Sequence, residues 1–373
     1  MTHTIFIAGG GVAGVEAALA VRTAVGDRVD LAMLCPEDTF VYRPLSVLEP
    51  FAGPSLDIPL PEVARDLDMT LHRGRLDSVF AASQLLRSDM GEELPYTALL
   101  IAVGARPRPA LTGALTFTGP RDAANFDALL SAMEMGAGST IAFVATRDHS
   151  WTLPLYELAL LTQHRLRATI GASATVMVVT HESRPLAAMG DDSSDLAEQL
   201  LGNAGIRVHT GVTATGIADR QLQLRGGDTL AADHAVSLPR LVGPVIEGVR
   251  QDRDGFIPID RCGRVRGMRR IAAAGDITRG YVKQGGLAAR QADAAISALL
   301  ADLGHDVQAV PFDTTLKGVL LRPTVLEAAA AGTPWRPPTK VVAPHLAHYL
   351  GTREPDSLHP GLWPASSPTE IAV

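Results

Sequence analysis

The sequence predicts an α/β fold built of parallel-stranded units, on three observations. A short apolar strand, TIFIA (4–8), leads through a glycine turn into the helix pattern VEAALAVRTAV (15–25). A strand–helix–strand pattern then repeats between residues 115 and 243. Finally RRIAAAGDITRGYVKQGGLAARQADAAISALL (269–300) runs from a strand through Gly275-Asp276 into a long alanine-rich helix. Strands that alternate with helices of this length lie parallel in a sheet covered on both faces.

Composition narrows the partners. With 373 residues, 46% of them hydrophobic, the chain is too large for one core, so two or three domains are expected. The net charge of −7 and the lack of a dense basic stripe argue against nucleic acid. Cys35 and Cys262 stand far apart and form no CxxC pair, which suggests neither a disulfide framework nor a metal site. Thiols this sparse suit a reducing cytoplasm. The start, MTHTIFIAGGG, lacks the basic and apolar regions of a secretory signal, and no apolar run approaches the roughly 20 residues of a membrane span. The expectation is a cytoplasmic protein with at most a peripheral hold on a membrane.

The first unit carries Gly9, Gly11 and Gly14 in GxGxxG spacing. Gly9 permits the tight turn, Gly11 lets backbone approach a pyrophosphate, and Gly14 lets helix pack closely on strand. The free N–H groups at the helix start then favour phosphate. A second strand follows, VDLAMLC, and the acidic residue expected about 20 positions after the loop would fall at Cys35. Glu37 is the best substitute for holding a ribose; the other reading is that it caps a surface turn with Pro36 and Asp38. YTALLIAVGARPRP (96–109) is a third strand, ending in a small-residue turn at Ala102, Gly104 and Ala105.

These stretches, in this order, resemble the FAD half of the two-dinucleotide-binding-domain flavoproteins, the pyridine nucleotide–disulfide reductase superfamily. FVYRPLSVLEPF (40–51) and YVKQGGLAARQ (281–291) are closer to type II NADH:quinone dehydrogenases, sulfide:quinone oxidoreductases and flavocytochrome c sulfide dehydrogenases than to the disulfide reductases. The resemblance implies two Rossmann-like domains, with the FAD domain split into residues 1–114 and 244–310. A nucleotide-like domain, 115–243, is inserted, and a small cap, 311–373, follows. It also implies site roles. Gly9, Gly11 and Gly14 hold the FAD pyrophosphate, Ala102 and Gly104 line a turn beside the cofactor, and Asp276, after Gly275, takes a hydrogen bond from the ribityl chain. The helix from Gly285 aims its positive end at the flavin. Tyr42, Arg43 and Pro44 lie against the isoalloxazine, with Lys283 and Gln284 at its reactive edge. Lys283 reads otherwise as a solvated loop lysine.

The inserted unit departs from this pattern. TIAFVAT (140–146) and LPLYELALLTQHRL (153–166) are strand and helix, but VATRDHSWTLPLYELAL (144–160) contains no glycine where NAD(P)H-using relatives carry GxGxxGxE. Glu157 survives as the motif's glutamate. Side chains with Cβ atoms, and Trp151 above all, crowd the space that glycines leave for a pyrophosphate. Asp148 would repel phosphate, whereas Arg147 and His149 would attract it. Ordinary NAD(P)H binding is not expected. Trp151 either stacks on a planar substrate or the flavin, or fills a hole in a degenerate domain; His149 is either a proton carrier or a surface residue.

A redox disulfide is also missing. The second strand is followed by RPLSV without cysteine, and the sulfide oxidisers' cysteines, near the positions of Ser150 and of Leu320 or Leu321, are absent. The expected function is an FAD-dependent oxidoreductase passing electrons to a quinone or a protein carrier, with Lys283, Trp151 and Arg43 nearest the chemistry. The alternatives are an NAD(P)H:quinone oxidoreductase with an unconventional loop and a non-catalytic FAD-binding protein. At the carboxy-terminal end, TTLKGVLLRPTVLEA (314–328) reads as a short strand pair. Val341, Val342, Leu346, Tyr349 and Leu350 form an apolar face that rests either on a membrane or on the FAD domain, and the Pro- and Ser-rich tail after Gly351 reads as mobile.

Overall fold

The computed structural model describes residues 3–51, 53, 56–147, 151–321, 323, 343–352 and 370–372. Two parallel five-stranded sheets organise it. In the first, the strands run Ile271–Ala273, Ala98–Ile101, His3–Ala8, Val29–Cys35, Met69–Arg73, so the amino-terminal strand lies in the middle. In the second the order is Leu115–Thr116, His234–Ser237, Thr140–Ala145, Thr175–Thr180, Arg207–His209. Both central strands are apolar throughout their buried length, as strands covered on two faces must be.

The helices are α1 (Val12–Val25), α2 (Leu60–Asp66), α3 (Pro120–Glu134), α4 (Leu153–Thr169), α5 (Asp191–Ala204), α6 (Gly285–Asp302) and α7 (Pro344–Thr352). Alanines on α1 and α6 bring these two helices close beneath the first sheet; a Cβ on Gly275 would stand 3.2 Å from Ala13 and 3.6 Å from Ala288. Each unit also carries a three-stranded antiparallel meander, at residues 76–95 in the first and 214–231 in the second. The chain crosses between the units twice, and the two crossings pair as the antiparallel strands Arg106–Arg108 and Arg240–Val242.

The units share a core. Phe126 of α3 meets Phe51, Phe117 and Phe143 with ring centroids 6.0, 5.9 and 6.1 Å apart. Arg165 of α4 reinforces the joint: it donates to Glu134 at 2.8 Å, to Asp127 at 2.5 Å and to the Pro50 carbonyl at 3.3 Å. The Arg165 contact, foremost, holds the Glu134 carboxyl below its usual range.

FVYRPLSVLEPF forms the end of a short strand, Thr39–Val41, followed by a 3-10 helix, Arg43–Phe51. Strand Lys317–Val319 pairs with Glu370–Ala372 from the far end of the chain; the second strand expected within 314–328 falls on residues 322 and 324–328, outside the described residues. Val341, Val342 and the tail 353–369 lie outside the described residues. The apolar face of α7 packs inward: Leu346 and Leu350 are buried in the core that includes α1. No described helix is long and apolar enough to cross a membrane.

Candidate functional site

The glycine turn shows why its three glycines are needed. Gly9 sits at φ +120°, and a Cβ there would lie 2.2 Å from the Ala102 carbonyl oxygen. A Cβ on Gly14 would lie 1.8 Å from the Gly9 carbonyl oxygen, so helix and turn touch backbone to backbone. Gly11 differs: a Cβ there would meet nothing within 4 Å. Gly11 caps α1 without a side-chain hydrogen bond, and no acidic residue occupies the first turn. The helix end therefore presents backbone N–H groups and positive dipole to open space, a cradle suited to phosphate.

Around this cradle the sheet brings together the other predicted residues. Ala102 ends its strand with its N–H on the Ala8 carbonyl at 2.7 Å, and Gly104 turns the chain at φ +69°. Glu37 lies exposed just beyond strand Val29–Cys35; it accepts from the buried Cys35 thiol at 3.5 Å and faces Arg75 at 3.8 Å. Burial, chiefly, pushes that thiol up to about 11, so Cys35 stays protonated and is no ready nucleophile.

The Gly275 turn is held by a residue the sequence did not single out. Gln291 of α6 accepts from the Gly275 N–H at 2.8 Å and from the Thr278 hydroxyl at 3.3 Å. Asp276, half-buried here, has its carboxyl pushed up by desolvation and drawn back by the Lys283 and Arg43 cations. Lys283 donates to the Thr278 carbonyl and lies 4.3 Å from the centre of the Phe256 ring. Burial lowers its ammonium to about 8 against the pull of Asp276 and Asp252. Arg43 is exposed at the head of the 3-10 helix, beside half-buried Pro44 and buried Tyr42. Gln284 caps α6: its carbonyl oxygen accepts from the Leu287 N–H at 2.7 Å, and its amide donates to the Lys317 carbonyl at 2.8 Å. Gly285 opens the helix.

Trp151 joins this neighbourhood through the carboxy-terminal strand. A Cβ on Gly318 would stand 3.2 Å from the Trp151 ring and 3.1 Å from Leu153, so strand and indole are in close contact. Buried Glu157 holds the same segment by accepting from the Leu321 N–H at 2.8 Å. The strand thus spans the starts of α4 and α6.

The start of α4 is unlike that of α1. Thr152, its N-cap, donates to Glu182 at 3.1 Å, and Tyr156 in the first turn donates to the same carboxylate at 2.6 Å. Thr180 adds a 3.0 Å bond from the end of its strand. A carboxylate of the protein's own therefore sits at the positive end of α4. Glu182 stands two residues past the second strand of its unit, where an acidic ribose contact would fall, which is the signal that could have exposed it. Arg147 reaches Thr213 at 3.3 Å; Asp148, His149 and Ser150 lie outside the described residues.

Residues 3–294 match the family model described as pyridine nucleotide-disulphide oxidoreductase. Similar solved structures include the sulfide:quinone oxidoreductase of Aquifex aeolicus, 17% identical, with a TM-score of 0.78 over 86% of this chain and 81% of that one. A ferredoxin reductase of Rhodopseudomonas palustris is 21% identical, with a TM-score of 0.68 over 86% and 80%. NDH2 of Plasmodium falciparum is 15% identical, with a TM-score of 0.61 over 74% and 64%. At these identities the likeness is one of fold. No curated protein matches the chain. The matched span covers the glycine turn, the Gly275 turn and the start of α6, and the chain belongs to the pyridine nucleotide-disulphide oxidoreductase family as an FAD-dependent oxidoreductase.

Proposed function

We propose that the protein passes electrons to a quinone or a protein carrier without a redox disulfide and without ordinary binding of NAD(P)H. The observation behind the last clause is the Glu182 carboxylate bound to Thr152 and Tyr156 at the start of α4. A dinucleotide pyrophosphate would have to displace a like charge already held by three hydroxyl donors, those of Thr152, Tyr156 and Thr180. It would also meet Trp151, wedged against Gly318, in place of a glycine. The acceptor class draws on the similar folds, among them a sulfide:quinone oxidoreductase and a putidaredoxin reductase solved with putidaredoxin. This reading keeps the division into residues 1–114 and 244–310 for FAD, 115–243 for the inserted unit and 311–373 for the cap.

FAD, when bound, supplies two-electron exchange. In this reading Gly9, Gly11 and Gly14 hold its pyrophosphate, Glu37 its adenosine ribose, and Asp276 its ribityl chain, with Ala102, Gly104, Gly275 and Gly285 leaving room for it. Arg43, Pro44 and Gln284 border the flavin face. Lys283, with an ammonium near 8, is the proton-carrying side chain at that face. Trp151 and the strand beneath it wall off water.

Anaerobic mixing of the purified flavoprotein with NADH and with NADPH is the test. The visible flavin band should persist with both. After chemical reduction it should return rapidly on addition of a soluble quinone or an oxidised ferredoxin. Fast bleaching by either pyridine nucleotide refutes the exclusion of NAD(P)H; reoxidation by neither acceptor refutes the electron-transfer reading.

A further inference from the structure

Away from the cradle, three ligating side chains from three helices converge. Among the described residues, Glu16 of α1, Asp293 of α6 and His345 of α7 place a carboxylate oxygen, a second carboxylate oxygen and a ring nitrogen within 4.8 Å of one another. Glu16 is fully buried. Its two oxygens accept from the backbone N–H groups of His345 at 3.1 Å and Leu346 at 2.7 Å, and each oxygen keeps a second lone pair. Asp293 Oδ1 is buried with no hydrogen-bond partner.

The hydrogen bonds around His345 decide which nitrogen faces the cluster. Thr23 Oγ1 donates its hydrogen to the Leu19 carbonyl at 2.9 Å. It can therefore only accept from His345 Nδ1, 3.3 Å away. The proton of the neutral ring is thus on Nδ1, and Nε2 turns a bare lone pair toward Asp293 Oδ1 at 3.8 Å. The bare ring nitrogen and an unpartnered carboxyl oxygen thus face each other across a gap too long for a hydrogen bond, with the buried Glu16 carboxyl alongside. Ligand atoms on one tetrahedral zinc, each about 2.0–2.2 Å from the metal, stand about 3.3 Å apart, so small side-chain adjustments close this set.

We propose that Glu16, Asp293 and His345 bind a divalent transition-metal cation such as zinc, which fastens the carboxy-terminal helix α7 to the first unit. The donor set suits such an ion: one neutral imidazole and two carboxylates. The second ring nitrogen is already tied to a hydroxyl, and through it to a carbonyl, the outer support that orients a ligating histidine. No cysteine takes part, so the spacing of Cys35 and Cys262 says nothing about this site. Its place among α1, α6 and α7 makes it a structural clasp, separate from the redox face.

The experiment uses the full-length flavoprotein, stripped with a chelator and titrated with zinc chloride by calorimetry, with metal content measured on protein as purified. One zinc per chain is expected, together with a melting temperature that rises as zinc is added. Asp293→Asn and His345→Ala should each weaken binding at least about tenfold while retaining the flavin spectrum. His348→Ala and Cys262→Ser, one on α7 and one in a loop, should leave binding intact. The two affected variants lie on different helices, so one remains informative if the other fails to fold. Absence of uptake, or uptake unchanged in both Asp293→Asn and His345→Ala, overturns the proposal.

Discussion

The starts of α1 and α4 are the same architectural object finished in opposite ways. Each follows the central strand of a parallel sheet, and each points a helix amino terminus at the carboxyl edge of that sheet. At α1 the turn is glycine, the cap is bare and the first turn holds no acid. At α4 the cap is Thr152, and the Glu182 carboxylate from the neighbouring strand end accepts from the hydroxyls of Thr152 and Tyr156. A helix terminus attracts anions without regard to source, so under the proposed function an internal glutamate competes with a ligand's phosphate at the second site. The lesson is that a helix start without glycine differs twice over, in its Cβ atoms and in the charge beside it.

The largest test of this contrast is Gly14→Ala. Its new Cβ would overlap the Gly9 carbonyl, and backbone cannot move aside cheaply. A cost of about 3 kcal/mol and a colourless product are expected, read by melting temperature and visible absorbance. Gly11→Ala, by contrast, should fold normally and only weaken FAD binding, because its Cβ enters open space. If both variants behaved alike, the cradle would be a packing device and nothing more.

Lys283→Met should come next, lowering turnover about a hundredfold if the ammonium carries the proton. Burial has lowered its ammonium to about 8, so the protonated form dominates below that pH and is lost above it. Turnover in the native protein should therefore fall as pH rises through about 8, and the variant's profile should lose that inflection. Trp151→Ala should cost about 2 kcal/mol, measured by denaturant unfolding, since it removes an indole packed on Gly318 and Leu153. The smallest effect is expected from Glu182→Gln. It removes the charge but keeps the shape, changing stability by about 1 kcal/mol and leaving NADH unable to bleach the flavin. Rapid bleaching in that variant would show that charge alone had closed the site.

Much of the fold and of the cradle is legible in the chain's residue order. Gly9, Gly11 and Gly14 announce the cradle because only glycine tolerates the contacts at its two crowded positions, and the glycine-free stretch ahead of α4 announces the altered second unit. The helix of α6 begins at Gly285, as its small-residue run implies. Other features are hidden. RPLSVLEPF carries no helical period strong enough to reveal a 3-10 helix. Nor does the sequence show that both polar atoms of Gln284 are engaged, one capping α6 and the other on the Lys317 carbonyl.

The sequence by itself determined the main order of strands and helices, the glycine turn before α1 and the lack of a redox cysteine pair, because these rest on residue types and short spacings. Tertiary structure alone decided that Glu182 meets Thr152 and Tyr156 at the start of α4, that strand Lys317–Val319 lies against Trp151, and that Glu16 meets Asp293 and His345. The contacts behind them join residues as far as 26 positions apart at Tyr156 and Glu182, and 329 apart at Glu16 and His345. Such pairings carry no local signal; they exist only once the sheets have fixed where each helix end points.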